Sequence, residues 1–419
     1  MLALLGLVLG GLALAIALDC LVGKAQTRRA ELLLTEGGAA FDEGDLARAE
    51  RIWKRAAACS AWVRGGPIFF LAHYNLANVL ARLGKYRPAE KAARQAFQSI
   101  GSLRNSLELG IQGSYPEVRN CLAVLADSLV KQARYPEAIP YYEAVIGLWR
   151  EADGEHSFHA GYYSQELGVT CCRLGLHAQA LDHLSVAVET FRTQCGPNHP
   201  GLATALVNCG EAQMRTGRLH EAEQSLRRAL EIRERMFGGG HSSVAAARAS
   251  LGLLHMERGE YEEAATSFRA AIKIYEPELG EADAVVAGLK NNLADALRRQ
   301  GQWNESEQLL KLAMSTLSKA EDPSLSNALE TMAELKNQQG SLEEAADLYR
   351  QSREWMERAP SGDLSRKARL LHNEARVLRR LGDEEIAEEL ASMALSIREA
   401  IKNTPSPAAT ERIGLFPEK

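Results

Sequence analysis

Apolar residues recur at spacings of three and four along nearly the whole chain, in runs broken by single glycines. Over residues 202 to 235, Leu202, Leu206, Cys209 and Gln213 mark one face before Gly217, and Leu219, Ala222, Leu226, Ala229 and Leu230 mark another after it. Each run has the helical period, so the segment predicts a helical hairpin, helix A then helix B, with the glycine ending the first helix and permitting a tight turn. The frame repeats. Its turn position is held by Gly44, Gly84, Ala133, Gly175, Gly217, Gly259, Gly301, Gly340 and Gly382, and from Ala133 to Gly301 every step is 42 residues. Seven places before the turn stand Gly37, Ala77, Ala126, Gly168, Gly210, Gly252, Ala294, Ala333 and Ala375, all small. Five places after it stand Ala49, Ala89, Ala138, Ala180, Ala222, Ala264, Ser306, Ala345 and Ala387. Small residues at these slots let two helices approach where leucine would hold them apart. An array of this period predicts stacked units, each too small to bury its own apolar face. Aromatics at one slot of helix B, such as Trp53, Tyr142, Phe268 and Tyr349, read as core knobs.

The breaks in the frame set the expected boundaries. The step from Gly84 to Ala133 widens to 49 residues, and Gly101, Gly110, Gly113 and Pro116 interrupt the helical pattern there, so 101–116 is expected to be a loop insertion. The step contracts to 39 residues at Asp322-Pro323. The repeats are expected over 31–402, and the aperiodic tail 403–419 is expected to be disordered, with a short docking segment as the alternative.

Residues 1–23 stand apart. From Leu2 to Leu18 the chain carries only uncharged apolar or glycine residues, a run just long enough to span a bilayer. Lys24, Arg28 and Arg29 follow it in a short basic join, 24–30, whereas a secretory signal would place its cations before the apolar core. This predicts one uncleaved transmembrane helix with the repeats on the cytoplasmic side. Export with removal of a signal near Gly23-Lys24-Ala25 is the alternative.

The segments Leu83-Gly84-Lys85-Tyr86-Arg87-Pro88-Ala89-Glu90 and Arg258-Gly259-Glu260-Tyr261-Glu262-Glu263-Ala264 resemble the tetratricopeptide repeat. The longer step holds Gly196-Pro197-Asn198-His199-Pro200, then Gly238-Gly239-Gly240-His241 and Gly280-Glu281-Ala282-Asp283, and this resembles the kinesin-light-chain subtype. The likeness covers residues 30 to 402. It implies an all-α, right-handed superhelical solenoid of about nine hairpins, with helix A lining an inner surface that binds peptides.

Composition narrows the function. Net charge is -5 with 25% charged residues, which gives no basic surface for nucleic acid. The seven cysteines form no C-x-x-C pair, so no zinc ribbon or redox pair is indicated, and Cys171 and Cys209 read as small hydrophobes facing inward. There is no phosphate loop, no His-Glu-x-x-His and no Gly-x-Ser-x-Gly. His199 and His241 recur once per unit, which points to capping of a helix end rather than catalysis. No cofactor, metal or small-molecule substrate is inferred, and the chain is not expected to be an enzyme.

Two slots of helix A, seven residues apart and so on one face, carry the candidate binding residues. Nine places before the turn stand Asn75, Asn208, Asn292 and Asn373; two places before it stand Arg82, Lys131, Arg173, Arg215, Arg299 and Arg380. The asparagines offer a donor and an acceptor to a peptide backbone, and the cations match acidic side chains. Proteins of the resembled family hold extended peptides with such residues at comparable slots. Val124 and Glu257 break the two rows. Asp127, Glu211 and Asp295 lie four residues before three of the cations, an order that predicts intrahelical pairs of about 0.2–0.5 kcal/mol and a groove of mixed charge. The leading expectation is a membrane-tethered scaffold that binds a protein or peptide in its groove, with an acidic peptide as the narrower form of that partner. An exported periplasmic or lumenal assembly factor is the alternative, and an enzyme with an unrecognised site stands last.

Overall fold

The computed structural model describes residues 2–63, 66–106, 116–358 and 364–403, with the side chains of residues 2–21, 63, 100–106, 365 and 401–403 outside that description. These residues form eighteen α-helices in two compact units divided after Gly175. Unit 1 holds α1 (Leu2–Asp42), α2 (Leu46–Ser60), α3 (Pro67–Arg82), α4 (Tyr86–Ser106), α5 (Pro116–Lys131), α6 (Tyr135–Asp153) and α7 (Phe158–Arg173). Unit 2 opens with α8 (His177–Cys195), α9 (Pro200–Arg215), α10 (Leu219–Phe237), α11 (Ser242–Arg258), α12 (Tyr261–Leu279) and α13 (Ala284–Arg299). It continues with α14 (Trp303–Lys319), α15 (Leu325–Gln339), α16 (Leu342–Arg358), α17 (Leu364–Leu381) and α18 (Glu384–Asn403).

The turn frame forms as the sequence predicts. All nine turn residues have positive φ, including Ala133 at 58°, the one turn residue of the nine that carries a side chain into the left-handed region. All nine small residues before the turn are buried, as are all nine after it. Their size has a direct cause in the knobs. A Cβ added at Gly252 would lie 2.6 Å from the Phe268 ring, and one at Gly210 would lie 2.8 Å from Leu226. Gly37 meets Trp53 in the same way. Ser306, the one non-alanine after the turn, donates its hydroxyl to the Ala294 carbonyl at 2.7 Å, so its polar atom is satisfied inside the hairpin. Trp53, Tyr142, Phe268 and Tyr349 are buried.

The loops that join one hairpin to the next repeat a second device. Gly196, Gly238 and Gly280 take positive φ at the ends of α8, α10 and α12, and three residues later a side chain caps the next helix. His199 Nδ1 accepts from the Gly201 N–H, His241 Nδ1 from the Ser243 N–H, and Asp283 Oδ1 from the Val285 N–H. The recurring histidines are caps, as their period implied. Cys171 and Cys209 are buried, and burial pushes their thiols up to about 12 and about 11.

The amino-terminal expectation needs correction. Among the described residues no helix is long and apolar enough to cross a membrane, which overturns the expected single-pass placement with cytoplasmic repeats. The apolar side chains of residues 2–18 on which it rested lie outside the described residues. From residue 22 onward α1 is charged and amphipathic: it runs through Lys24, Arg28 and Arg29 without a break at Gly23 and buries Ala30, Leu33 and Ala40. Ala30, Leu33 and Ala40 alternate with Arg29, Glu31 and Glu36, as on the first helix of a hairpin. Elsewhere, α4 continues to Ser106, inside the expected loop 101–116, and residues 107–115 lie outside the described residues, as does the tail from 404.

Candidate functional site

In unit 2 alternate helices touch: α9 meets α11, α11 meets α13, and α13 meets α15, whereas the even-numbered helices make no contact of that extent among the described residues. A stack whose units meet on one side and splay on the other curves toward the meeting side, so α9, α11, α13 and α15 line the inner face, and α17 joins them through Arg369 with Glu330 and Arg380 with Asn337 of α15. In unit 1, α1 with α3 and α3 with α5 make the same contacts. The inner stripe of each odd-numbered helix falls thirteen, nine, six and two places before the turn residue. In α9 these are Thr204, Asn208, Glu211 and Arg215, and in α13 they are Gly288, Asn292, Asp295 and Arg299; none is buried.

The candidate residues of unit 1 stand on three helices. Asn75 is half-buried on α3, where Arg82 lies exposed with its guanidinium 4.5 Å from the Phe41 ring centroid. Lys131 on α5 and Arg173 on α7 are exposed. In unit 2, Asn208, Asn292 and Asn373 are half-buried at one equivalent slot of α9, α13 and α17. Asn292 accepts from the Asn291 amide at 3.4 Å. Arg215 and Arg299 are exposed but differ in their surroundings. Arg299 pairs with Asp295 at 3.2 Å and lies 5.6 Å from the Tyr261 ring centroid, whereas Arg215 has no ion pair among the described residues.

Of the three intrahelical pairs the sequence predicts, Asp295 with Arg299 forms. Glu211 instead accepts from Ser250 Oγ of the neighbouring α11 at 3.0 Å, and Asp127 accepts from the Tyr142 hydroxyl at 2.6 Å. Helix-to-helix partners lie nearer than the next turn of the same helix. Burial pushes the Asp127 carboxyl up against the opposing effect of the Tyr142 hydroxyl and Lys131. Burial raises Glu166 too, and the Asp127 charge adds to the shift. Glu334 on α15 is raised by burial while Arg298 pulls it down.

Arg298 is the residue the sequence did not bring forward. It is buried, 2.6 Å from both Asp295 and Glu334, and so joins α13 to α15 beneath the inner face. Its signal was present: the same slot holds Met214 and Met256 in earlier repeats, and a cation at an apolar slot marks a buried ion pair. Among the described residues no group of three or more His, Cys, Asp or Glu is arranged to hold a metal ion.

A family model of the tetratricopeptide repeat matches residues 117–192, 158–235, 202–277 and 324–400. A second model of the same description matches residues 286–320. No curated protein matches the chain. Among solved structures, a Rap protein complexed with Competence and Sporulation Factor is 15% identical, covers 90% of this chain and 99% of its own, and gives a TM-score of 0.56. The Rap conjugation gene regulator of the plasmid pLS20, in complex with the Phr* peptide, is 16% identical, covers 91% of this chain and 98% of its own, and also gives 0.56. A tetratricopeptide repeat protein from Parabacteroides merdae is 16% identical over 78% of this chain and 98% of its own, with a TM-score of 0.51. At these identities the likeness is one of fold.

Proposed function

Since the chain belongs to the tetratricopeptide repeat family, we propose that it is a non-catalytic scaffold that binds an extended peptide or protein segment along the inner face of its odd-numbered helices. The observation that carries this reading is the recurrence of Asn208, Asn292 and Asn373 at one inner slot, none of them buried in the hairpin core. Each amide offers both a donor and an acceptor, which is what an extended backbone presents in return. Asn75 holds the same slot in unit 1, and Arg82, Lys131, Arg173, Arg215 and Arg299 supply cations for acidic side chains. Two solved structures that share the fold contain Competence and Sporulation Factor and the Phr* peptide respectively, and both support a peptide as the class of partner. The 42-residue step with its Gly-x-x-His and Gly-x-x-Asp loops supports assignment to the kinesin-light-chain-like subtype.

Affinity capture with the full chain, in parallel with Asn208→Ala/Asn292→Ala, tests the reading. The partner retained by the parent should be lost by the variant while helicity is unchanged. Equal capture by both would move binding off the inner face.

A further inference from the structure

We propose that α17 is the part of the inner face that receives carboxylates, so that an acidic segment of the bound partner lies over α17. The inference rests on the peptide-groove reading and adds where along the face the partner's carboxylates lie. The full chain carries a net charge of -5, yet α17 holds Arg366, Lys367, Arg369, Arg376, Arg379 and Arg380 against the single acid Glu374.

The inner stripe of α17 differs in kind from the stripes before it. Six places before the turn, α9, α13 and α15 present the acids Glu211, Asp295 and Glu334, of which Asp295 and Glu334 are ion-paired; α17 presents Arg376. Thirteen places before the turn, α9, α11, α13 and α15 present Thr204, Ala246, Gly288 and Asn327; α17 presents Arg369. Its stripe therefore reads Arg369, Asn373, Arg376, Arg380.

Two acids beside this helix, Glu330 and Glu374, are already engaged. Glu330 faces Arg369 at 3.3 Å and Arg366 at 3.6 Å, and Glu374 faces Arg353 at 3.1 Å. Arg380 donates to the neutral amide oxygen of Asn337. Arg376 and Arg379 have no ion pair among the described residues, and Arg376 is exposed. The uncompensated charge is felt on the same helix: His372 is lowered by burial first and then by Arg398, Arg376 and Arg379. From Arg369 to Arg380 the stripe spans about 16 Å at 1.5 Å per residue, enough to engage several carboxylates through planar guanidinium forks.

The test is the affinity of the full chain for a fluorescent oligoglutamate peptide at two salt concentrations. We expect binding that weakens as salt rises and at least tenfold weaker binding in Arg376→Glu/Arg380→Glu. Arg235→Glu, on the opposite helix of its hairpin, should bind within twofold of the parent. Arg376→Gln/Arg380→Gln serves where the charge reversal disturbs folding, with helicity measured on each. No binding of oligoglutamate, equal binding by all variants, or a polyphosphate bound more tightly than oligoglutamate through the same arginines would overturn the assignment. Capture that depends on Asn208 and Asn292 while oligoglutamate ignores α17 sinks this inference alone. Oligoglutamate binding that needs α17 while capture ignores both asparagines sinks the groove reading instead.

Discussion

The Arg298 guanidinium lies 2.6 Å from the Glu334 carboxylate across the boundary between two repeats, with the arginine side chain only 4% exposed and the glutamate 30%. A buried cation of this kind links helices that no hairpin turn joins. Its removal leaves two acids facing one another, because Asp295 shares the same guanidinium at 2.6 Å.

Arg298→Ala should therefore cost about 2–3 kcal/mol in urea unfolding at neutral pH, below the full penalty for a broken buried pair because Glu334 keeps some access to water. Burial raises the Glu334 carboxyl above its ordinary 4.5, so its contribution to stability is present below that value and lost as pH rises through the raised one. Loss of Arg298 raises it further. The deficit of the variant should narrow as pH falls toward 4.5, and a deficit constant from pH 7 to 4.5 would show that Glu334 does not feel Arg298.

Gly252→Ala places a methyl group 2.6 Å from the Phe268 ring, a rigid neighbour that cannot turn aside. The expected cost is about 1–3 kcal/mol with a broadened thermal transition, since stress in one repeat passes to the next. Adding Phe268→Leu should recover part of the loss. A double variant no more stable than Gly252→Ala would place the contact elsewhere.

Ala133 occupies the turn slot that glycine fills in the other eight hairpins, at φ 58°. Left-handed backbone costs a residue with a Cβ about 1–2 kcal/mol, offset in part by the greater freedom of glycine in the unfolded chain. Ala133→Gly should raise stability by about 0.5–1 kcal/mol, read as an upward shift in the urea midpoint with unchanged slope. A lower midpoint would mean that the methyl group is held by contacts outweighing its backbone strain.

These hairpins were legible because their determinants are local: the turn residue, the small residues and the knob Phe268 lie within 16 residues of one another, and a repeated frame multiplies the signal. The caps His199, His241 and Asp283 were legible for the same reason. The pairs Arg298 with Glu334 and Glu211 with Ser250 were not, because each joins neighbouring repeats 36 to 39 residues apart and competes with a more obvious intrahelical pairing. The amino-terminal apolar run misled by its composition. A count of uncharged residues says nothing of the helix that continues past Gly23 to Asp42 and buries Leu33 and Ala40. On the inner face, the sequence showed a row of cations but not which of them the acid row neutralises.

That difference separates Arg215 from Arg299. Arg299 is held by Asp295 at 3.2 Å and donates toward the Tyr261 hydroxyl at 3.5 Å, so part of its charge is already satisfied. Arg215 has no ion pair among the described residues, because Glu211 one turn earlier accepts from Ser250. If both arginines face a bound acidic segment, Arg215→Ala should weaken partner binding more than Arg299→Ala, by roughly fivefold against twofold, with the larger effect fading at high salt. Stability should respond in the opposite order: Arg215→Ala leaves no ion pair broken, whereas Arg299→Ala removes one of the two cations beside Asp295 and should cost about 0.5 kcal/mol. Affinity at two salt concentrations and urea midpoints on the same preparations provide the comparison. Equal losses of affinity would mean that the partner draws Arg299 away from Asp295 on binding, and no loss from either would take α9 and α13 out of the contact surface.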